Sequence, residues 1–411
     1  MHLLALPAAV LAILRWRHAG ATRNQRLFLY WVVAALAVFA LQLLPIPASL
    51  FARMPQRAAV LADLHHAGLT PGWLPMTLDT WGSVRALLAF ATFAAMALLA
   101  MTLSQAARQR LLMLALLAAV PMALLGYSQA AAGANSTLRF YDYHHPMGAI
   151  GLFANRNHYA DLMGLLLPFG FAFAAQAQSR QQRGLAAAWY ALVVILLLAA
   201  ALSFSRAGIA LTVVAVAASV LLLRPVGTRG RHVLPLLALG LAALGIATYA
   251  WDGIVARLAQ DPLDDLRWQY VHYGMDAMRA WLPWGSGFGS FRDVYATFEP
   301  VSAMVEVFAL HAHNDLLEVA IEAGAPGLAL IGAFLVLLFI ASFSKFRKVL
   351  HGRAENSRTI HAAAAVACMV PILHSLVDYP LRTLAIATVF ALALSVLLAG
   401  NIEQPQRRLT A

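Results

Sequence analysis

Residues 186–223 read AAAWYALVVILLLAAALSFSRAGIALTVVAVAASVLLL, and Arg206 is the only charged side chain among them. A helix in hydrocarbon satisfies its backbone groups internally and needs about 20 mostly apolar residues to cross a bilayer. The stretch therefore holds two spans, 186–203 and 206–223, joined by a tight hairpin at Ser203-Phe204-Ser205-Arg206. Two adjacent spans make the chain an integral membrane protein, and the fold class expected is an all-α polytopic transmembrane bundle.

The same test applied outward finds runs at 2–14, 27–45, 86–103, 111–127 and 160–177 on one side, and 233–250, 326–344, 360–377 and 384–400 on the other. That gives eleven candidate spans in a single integral membrane domain, 1–411. The first run is short: either it is a marginal span, or a longer N-terminus completes it. It lacks the basic leader and small-residue cleavage site of a signal peptide. Of the 411 residues, 62% are hydrophobic and 11% charged, against about 45–50% and about 25% in soluble domains. A soluble enzyme, a DNA-binding module and a disordered chain are excluded. The single cysteine, Cys368, permits no intrachain disulfide and no cysteine-based metal site.

The formal net charge of +11 reads as a topology signal rather than a nucleic-acid footprint, because the basic residues sort into alternate loops. Arg15, Arg17, Arg23 and Arg26, Arg108 and Arg110, Arg180 and Arg183, Arg224, Arg229 and Arg231, Lys345, Arg347, Lys348, Arg353 and Arg358, and Arg407 and Arg408 all fall on one side. They are 18 of the 29 basic residues, whereas only Glu355 and Glu403 of the 18 acids lie there. That side is cytoplasmic, the N-terminus is outside and the C-terminus inside. Three outer segments exceed a hairpin: 46–85, 128–159 and 251–325. The last should fold against the membrane. Within it Leu266, Tyr270, Tyr273, Ala277 and Trp281 recur at helical spacing. A glycine-rich break follows at Gly285-Ser286-Gly287-Phe288-Gly289, then a short helix from Asp315 to Ala323 with Asn314 as N-cap, Gly324 as stop and Pro326 opening the next span.

Polar groups at membrane depth or at a bundle mouth are expensive and point to function. Four clusters qualify, all on the outer side. Asn155-Arg156-Asn157-His158 enters the span at 160; its amides and imidazole suit sugar hydroxyls, or Asn157 caps the helix. Ser205-Arg206 forms the tight hairpin, where a guanidinium suits phosphate oxygens or snorkels to headgroups. Arg267-Trp268 lies in the amphipathic segment, whose aromatics also fit an interfacial belt. His311-Ala312-His313-Asn314-Asp315 immediately precedes the short helix, and an imidazole there suits a general base. A metal reading would use His311 and His313 with Asp315, but the spacing is short and no cysteine or paired carboxylates support it. A merely capping histidine is the other alternative.

In this order on this topology, the four clusters resemble the O-antigen ligase and polymerase superfamily of bacterial membrane glycosyltransferases. His313-Asn314, nine residues, Gly324, two residues, Gly327 is similar to the family's histidine–asparagine motif. Phe153 to His158, Ser205-Arg206, the stretch Arg267 to Phe291 and the element His374-Ser375-Leu376-Val377-Asp378-Tyr379-Pro380-Leu381-Arg382 resemble further signatures, so the likeness covers roughly 140–385. The resemblance implies a GT-C-like bundle of eleven to twelve spans with a partly helical periplasmic loop, 251–325, that carries the catalytic motif. It implies a multi-pass protein of the bacterial inner membrane that takes a glycan from undecaprenyl diphosphate on the periplasmic side and joins it to an acceptor hydroxyl with inversion. Surrounding membrane lipids are further partners. By position it makes His313 the base, Arg206 and Arg267 the diphosphate holders, and Asn314, His311, Asn155, Asn157, His158, Ser205 and Arg156 supporting or substrate-binding residues, with no metal and no cofactor. The first long outer loop agrees with a metal-free route, since it offers only Asp63 and Asp79, far apart in sequence.

The acceptor stays open at this level. A lipid A core sugar makes the protein a ligase of lipopolysaccharide biosynthesis, and a second lipid-linked chain makes it an O-antigen or exopolysaccharide polymerase. A protein hydroxyl, as in an O-oligosaccharyltransferase, is disfavoured by the lack of an extra soluble domain. A transporter or flippase would more often show related halves and broken helices at mid-membrane, and neither is visible in the sequence.

Overall fold

The computed structural model describes residues 2–16, 21–141, 148–223, 239–241, 244–246, 251–258, 266–305, 308–350 and 356–398. The molecule is a helical bundle with one short ribbon. Its helices are α1 (His2–Trp16), α2 (Arg23–Leu43), α3 (Ala48–Phe51), α4 (Arg57–His66), α5 (Thr80–Met101), α6 (Gln105–Ala132), α7 (Arg156–Ser179), α8 (Arg183–Leu202), α9 (Arg206–Leu222), α10 (Trp251–Leu258), α11 (Leu266–Trp281), α12 (Phe291–Ala296), α13 (Asp315–Leu350), α14 (Asn356–His374) and α15 (Leu384–Leu398). Strands β1 (Pro45–Pro47) and β2 (Trp73–Pro75) pair antiparallel, with Ile46 opposite Leu74.

Six of these helices, α2, α5, α6, α7, α8 and α13, are long and apolar enough to cross a membrane, and Leu6–Trp16, Arg206–Leu222, Thr359–His374 and Leu384–Leu398 are shorter apolar helices. Each predicted run except 233–250 coincides with one of them; 233–250 falls largely outside the described residues. The all-α, polytopic expectation therefore holds.

At the centre stands α7, buried from Arg156 through Gln178. Its apolar residues are hidden by α8, α9 and α14, which pack along it, so no face of it meets lipid. A second group is built on α5, against which α1, α2 and α15 pack, while α13 bridges α2 and α14. Farther out, apolar side chains are exposed instead, among them Val336, Phe339, Ile340 and Phe343 of α13.

Above the bundle the long loops knit into one layer. The α11 face predicted from spacing is buried at Tyr270, Ala277 and Trp281, where it joins Phe291, Val294, Tyr295, Leu317 and Ile321 in a small separate core. The first outer loop is sewn to the glycine-rich break. Leu78 N–H donates to Ser286 O at 2.8 Å, Ser83 Oγ to Phe288 O at 2.6 Å, and Gln42 Nε2 to Glu322 O at 2.9 Å. Arg57, buried between the Phe51 and Trp281 rings, donates to Met76 O and Gly285 O, each at 2.7 Å. Burial pushes its guanidinium down to about 10.

Candidate active site at the bundle mouth

Four separate turns bring polar side chains to one end of α7. The first is the N-terminus of α7 itself. Asn155 is its N-cap, accepting from Asn157 N–H at 2.8 Å. The capping alternative for Asn157 is thereby corrected, because the cap lies two residues earlier, at Asn155, and the Asn157 side chain is released for other work. Asn157 Nδ2 donates to Asp378 Oδ2, and its Oδ1 accepts from Ser205 Oγ at 2.7 Å. Arg156 and His158 are buried beside it, and His158 Nδ1 pairs with Thr383 Oγ1 at 3.0 Å.

The second turn is the α8–α9 hairpin. Ser205 N-caps α9 by accepting from Gly208 N–H at 3.1 Å, so one hydroxyl both starts the helix and ties it to Asn157. Arg206, half-buried, is the first residue of α9. The hairpin is sharp enough to hold Phe204 at φ 53°, a conformation that costs an L residue about 1–2 kcal/mol.

The third turn carries the histidines. Asn314 caps the short helix as expected, accepting from Leu317 N–H at 3.0 Å. The helix breaks at Gly324, whose φ of 58° with ψ of −148° only glycine adopts readily; a Cβ there would lie 2.2 Å from Pro283 O. His313, at φ 49°, turns its imidazole toward Asp378, with Nδ1 3.1 Å from Oδ1. The ring lies parallel to Tyr270 and edge-on to Tyr379, and 23% of the side chain is exposed. His311 goes elsewhere: its Nδ1 is 2.8 Å from Glu318 Oε1.

The fourth turn, between α14 and α15, was quoted in the sequence as a family element but not as a source of site residues, and it holds the centre of the arrangement. Asp378 is fully buried. Besides His313 and Asn157 it meets Asn155 Nδ2 at 3.4 Å, Arg267 Nη2 at 3.9 Å and Tyr379 N–H at 3.0 Å. Burial pushes its carboxyl up, but the His313 hydrogen bond and the charges of Arg267 and the imidazoles outweigh this and hold it well below the usual carboxylate range. An ionised carboxylate can only accept, so Nδ1 of His313 is the donor in this contact and Nε2 is the ring nitrogen left for other partners. Tyr379 sits among His158, His311 and His313, with ring centroids 5.0, 4.1 and 5.0 Å away. Burial, and then the Asp378 charge, push its phenol up to about 12. Arg267, on the first turn of α11, also donates to Val377 O at 3.3 Å.

Beside this cradle lies a second charged group. Arg382 contacts Asp315 at 2.8 Å, Glu318 at 3.0 Å and Glu322 at 3.5 Å. Burial lowers its affinity for the proton, and the three carboxylates more than reverse that. The trio suggested as metal ligands is thus divided among different partners: His311 on Glu318, His313 on Asp378, and Asp315 on Arg382 and Ser375. Each histidine instead faces a carboxylate of its own, Glu318 for His311 and Asp378 for His313.

Of the predicted residues, the described contacts join Asn155, Asn157, Ser205, Arg267 and His313 through Asp378. His158 and His311 border the group through Tyr379, while Asn314 acts through the helix it caps. Arg206 and Arg156 adjoin it in the chain.

Comparison with known proteins reaches about a third of the chain. Residues 191–332 match the family model described as O-antigen ligase. That stretch is similar to an O-antigen ligase domain. The match runs from α8 into α13 and includes Arg206, Arg267, His311 and His313, while the Asn155 turn precedes it and Asp378 follows it. No curated protein is similar enough to count as a match. The long apolar helices make this a polytopic helical bundle, and its stretch 191–332 is similar to O-antigen ligases.

Proposed function

We propose that the protein is an O-antigen ligase. It transfers a glycan from undecaprenyl diphosphate to a hydroxyl of the lipid A core on the periplasmic face of the inner membrane, inverting the anomeric centre and using no metal. The observation that carries this reading is the His313–Asp378 pair at 3.1 Å, in which a base inside the stretch similar to O-antigen ligases is oriented by a buried carboxylate that lies beyond it. Nε2 of His313 takes the proton of the acceptor hydroxyl as that oxygen attacks the anomeric carbon. The bond from that carbon to the phosphate oxygen breaks, and the diphosphate leaves with the electron pair. Arg267 and Arg206 supply fixed positive charge where negative charge develops, which is worth far more in a low-dielectric mouth than in water. Asn155, Asn157, His158, Ser205, Arg156, His311 and Asn314 position these groups or the sugar, and loop 251–325 carries the catalytic motif.

The test is transfer from a lipid diphosphate donor by purified His313→Ala with its fold intact. The expected loss is about 10²- to 10⁴-fold, the usual worth of a positioned acid or base; wild-type turnover would end the base assignment. Deletion in the native host, read by gel analysis of surface polysaccharide, separates the acceptors. Free lipid-linked polymer with bare core supports the ligase, and core capped by a single unextended unit makes the protein a polymerase instead.

A further inference from the structure

Beneath the mouth, α7 and α14 share a second polar contact that the reaction above does not use. His374 Nδ1 lies 2.9 Å from Asp161 Oδ1, and both side chains are fully buried. Spacing ties this pair to the site. Asn157 and Asp161 are four residues apart on α7, and His374 and Asp378 are four apart across the end of α14. Residues one turn apart on a helix share a face, so α7 grips the α14 end at two levels. Asn157 holds Asp378 at the mouth, and Asp161 holds His374 below it. From His374 the backbone leads straight to the site: its carbonyl accepts from Val377 N–H and Asp378 N–H, each at 2.9 Å. The next residue carries the histidine turn. Ser375 O accepts from Asp315 N–H at 2.8 Å, and Ser375 Oγ donates to Asp315 Oδ2 at 2.8 Å. Asp378 and the turn bearing His313 are thus both fastened to residues 374–378.

Packing alone does not call for polar groups here. Farther along, the helices already meet closely: a Cβ on Gly164 would lie 3.2 Å from Thr212 Oγ1 of α9 and 3.3 Å from Val370 Cγ1 of α14. An apolar pair of similar volume is often as stable as a buried ionisable one. The polar pair also leaves Asp161 Oδ2 and His374 Nε2 buried with no hydrogen-bond partner among the described residues, which is costly. What it adds is direction. A hydrogen bond weakens steeply as its angle bends, whereas apolar burial is non-directional, so the pair fixes the height and rotation of the α14 end.

We infer that Asp161 and His374 are positioning residues, a buried tether that sets Asp378 against His313. The catalytic consequence rests on the transfer reaction proposed above; the placement of Asp378 does not.

The test uses the full chain in detergent with the tether cut by Asp161→Leu, on protein that elutes as a folded species. The first readout needs no turnover. Diethyl pyrocarbonate modifies neutral imidazole, and tandem mass spectrometry follows His313 alone across pH. Asp378→Asn, which takes the carboxylate charge from His313, supplies the reference displacement of the modification midpoint; Tyr270 and Tyr379, which also face that ring, are unchanged in both variants. In Asp161→Leu the midpoint is expected to move the same way. The second readout is transfer from a lipid diphosphate donor. Its kcat should fall about 10²-fold, the consequence of a misplacement of about 1 Å, with the donor KM unchanged. Asp161→Asn, whose amide oxygen still accepts from Nδ1, should recover part of that loss. A wild-type His313 midpoint in folded Asp161→Leu would overturn the tether. A displaced midpoint with wild-type turnover would keep the tether and strike the base assignment instead. Should Asp161→Leu fail to fold, His374→Leu cuts the same contact from the other side. Failure of both to fold would make the pair structural and overturn the positioning role.

Discussion

Two buried acidic centres lie side by side at the mouth of the bundle, and their charge balance is opposite. Around Arg382, three carboxylates share one guanidinium, and Glu318 and Glu322 take further hydrogen bonds from Ala312, Gly289 and Phe291 N–H groups. Around Asp378, one carboxylate is shared by His313, Arg267, Asn155 and Asn157. The first centre sets three acid side chains around one guanidinium and its ties run to the protein, so it has nothing to offer a diphosphate. It locks the short helix and the glycine-rich break to the α14–α15 turn. The second has more donors than its single carboxylate needs. Proximity to an ionisable cluster therefore does not by itself mark a residue as functional; the surplus of donors does.

The strongest attack on this distinction is Arg382→Met. It leaves three buried carboxylates without their cation, and the expected loss is about 3–5 kcal/mol of stability, read as a lower denaturation midpoint in detergent. Unchanged stability would erase the difference between the two centres. Next, Asp378→Asn should lower transfer by about 10²- to 10³-fold, because it frees the His313 tautomer, while the protein still elutes as a folded species. A comparable loss of fold would make Asp378 structural, like Arg382. The pH response sharpens the same point. The Asp378 carboxyl is depressed in the folded protein, so its stabilising contribution is complete above the unfolded value of about 3.9 and is lost as pH falls toward the lower folded value. Wild-type stability should decline on acidification below about pH 4, and Asp378→Asn should remove part of that slope, read from denaturation midpoints across the acid range. The smallest effect is expected from Asn314→Ala, which removes one cap for about 1 kcal/mol and should be recovered in part by Asn314→Ser.

The sequence made the bundle legible because hydrophobic length is a local property: a 20-residue apolar run announces itself without knowledge of its neighbours. The amphipathic face from Leu266 to Trp281, the Asn314 cap and the Gly324 stop were legible for the same reason, since each depends on residues within a turn or two. Asp378 was not. Its partners His313, Asn157 and Arg267 lie 65, 221 and more than a hundred residues away in sequence, and a lone aspartate in a nine-residue loop reads as a solvated turn. Arg382 was hidden likewise, although its three acids recur at positions 315, 318 and 322, one face of a helix. That spacing was the available signal, and it was overlooked in favour of the histidines. Capping stayed open as an alternative for Asn157 because Asn155 and Asn157 are chemically equal in a linear string; only the backbone turn tells which side chain is consumed locally.

One backbone angle has a practical bearing on engineering. At φ 49°, His313 occupies a conformation that suits glycine or asparagine better than histidine. A library screened for heat resistance alone would drift toward those residues at position 313, relieving strain while discarding the proposed base. Anyone improving the protein for handling should hold that codon fixed and harvest thermal gains elsewhere.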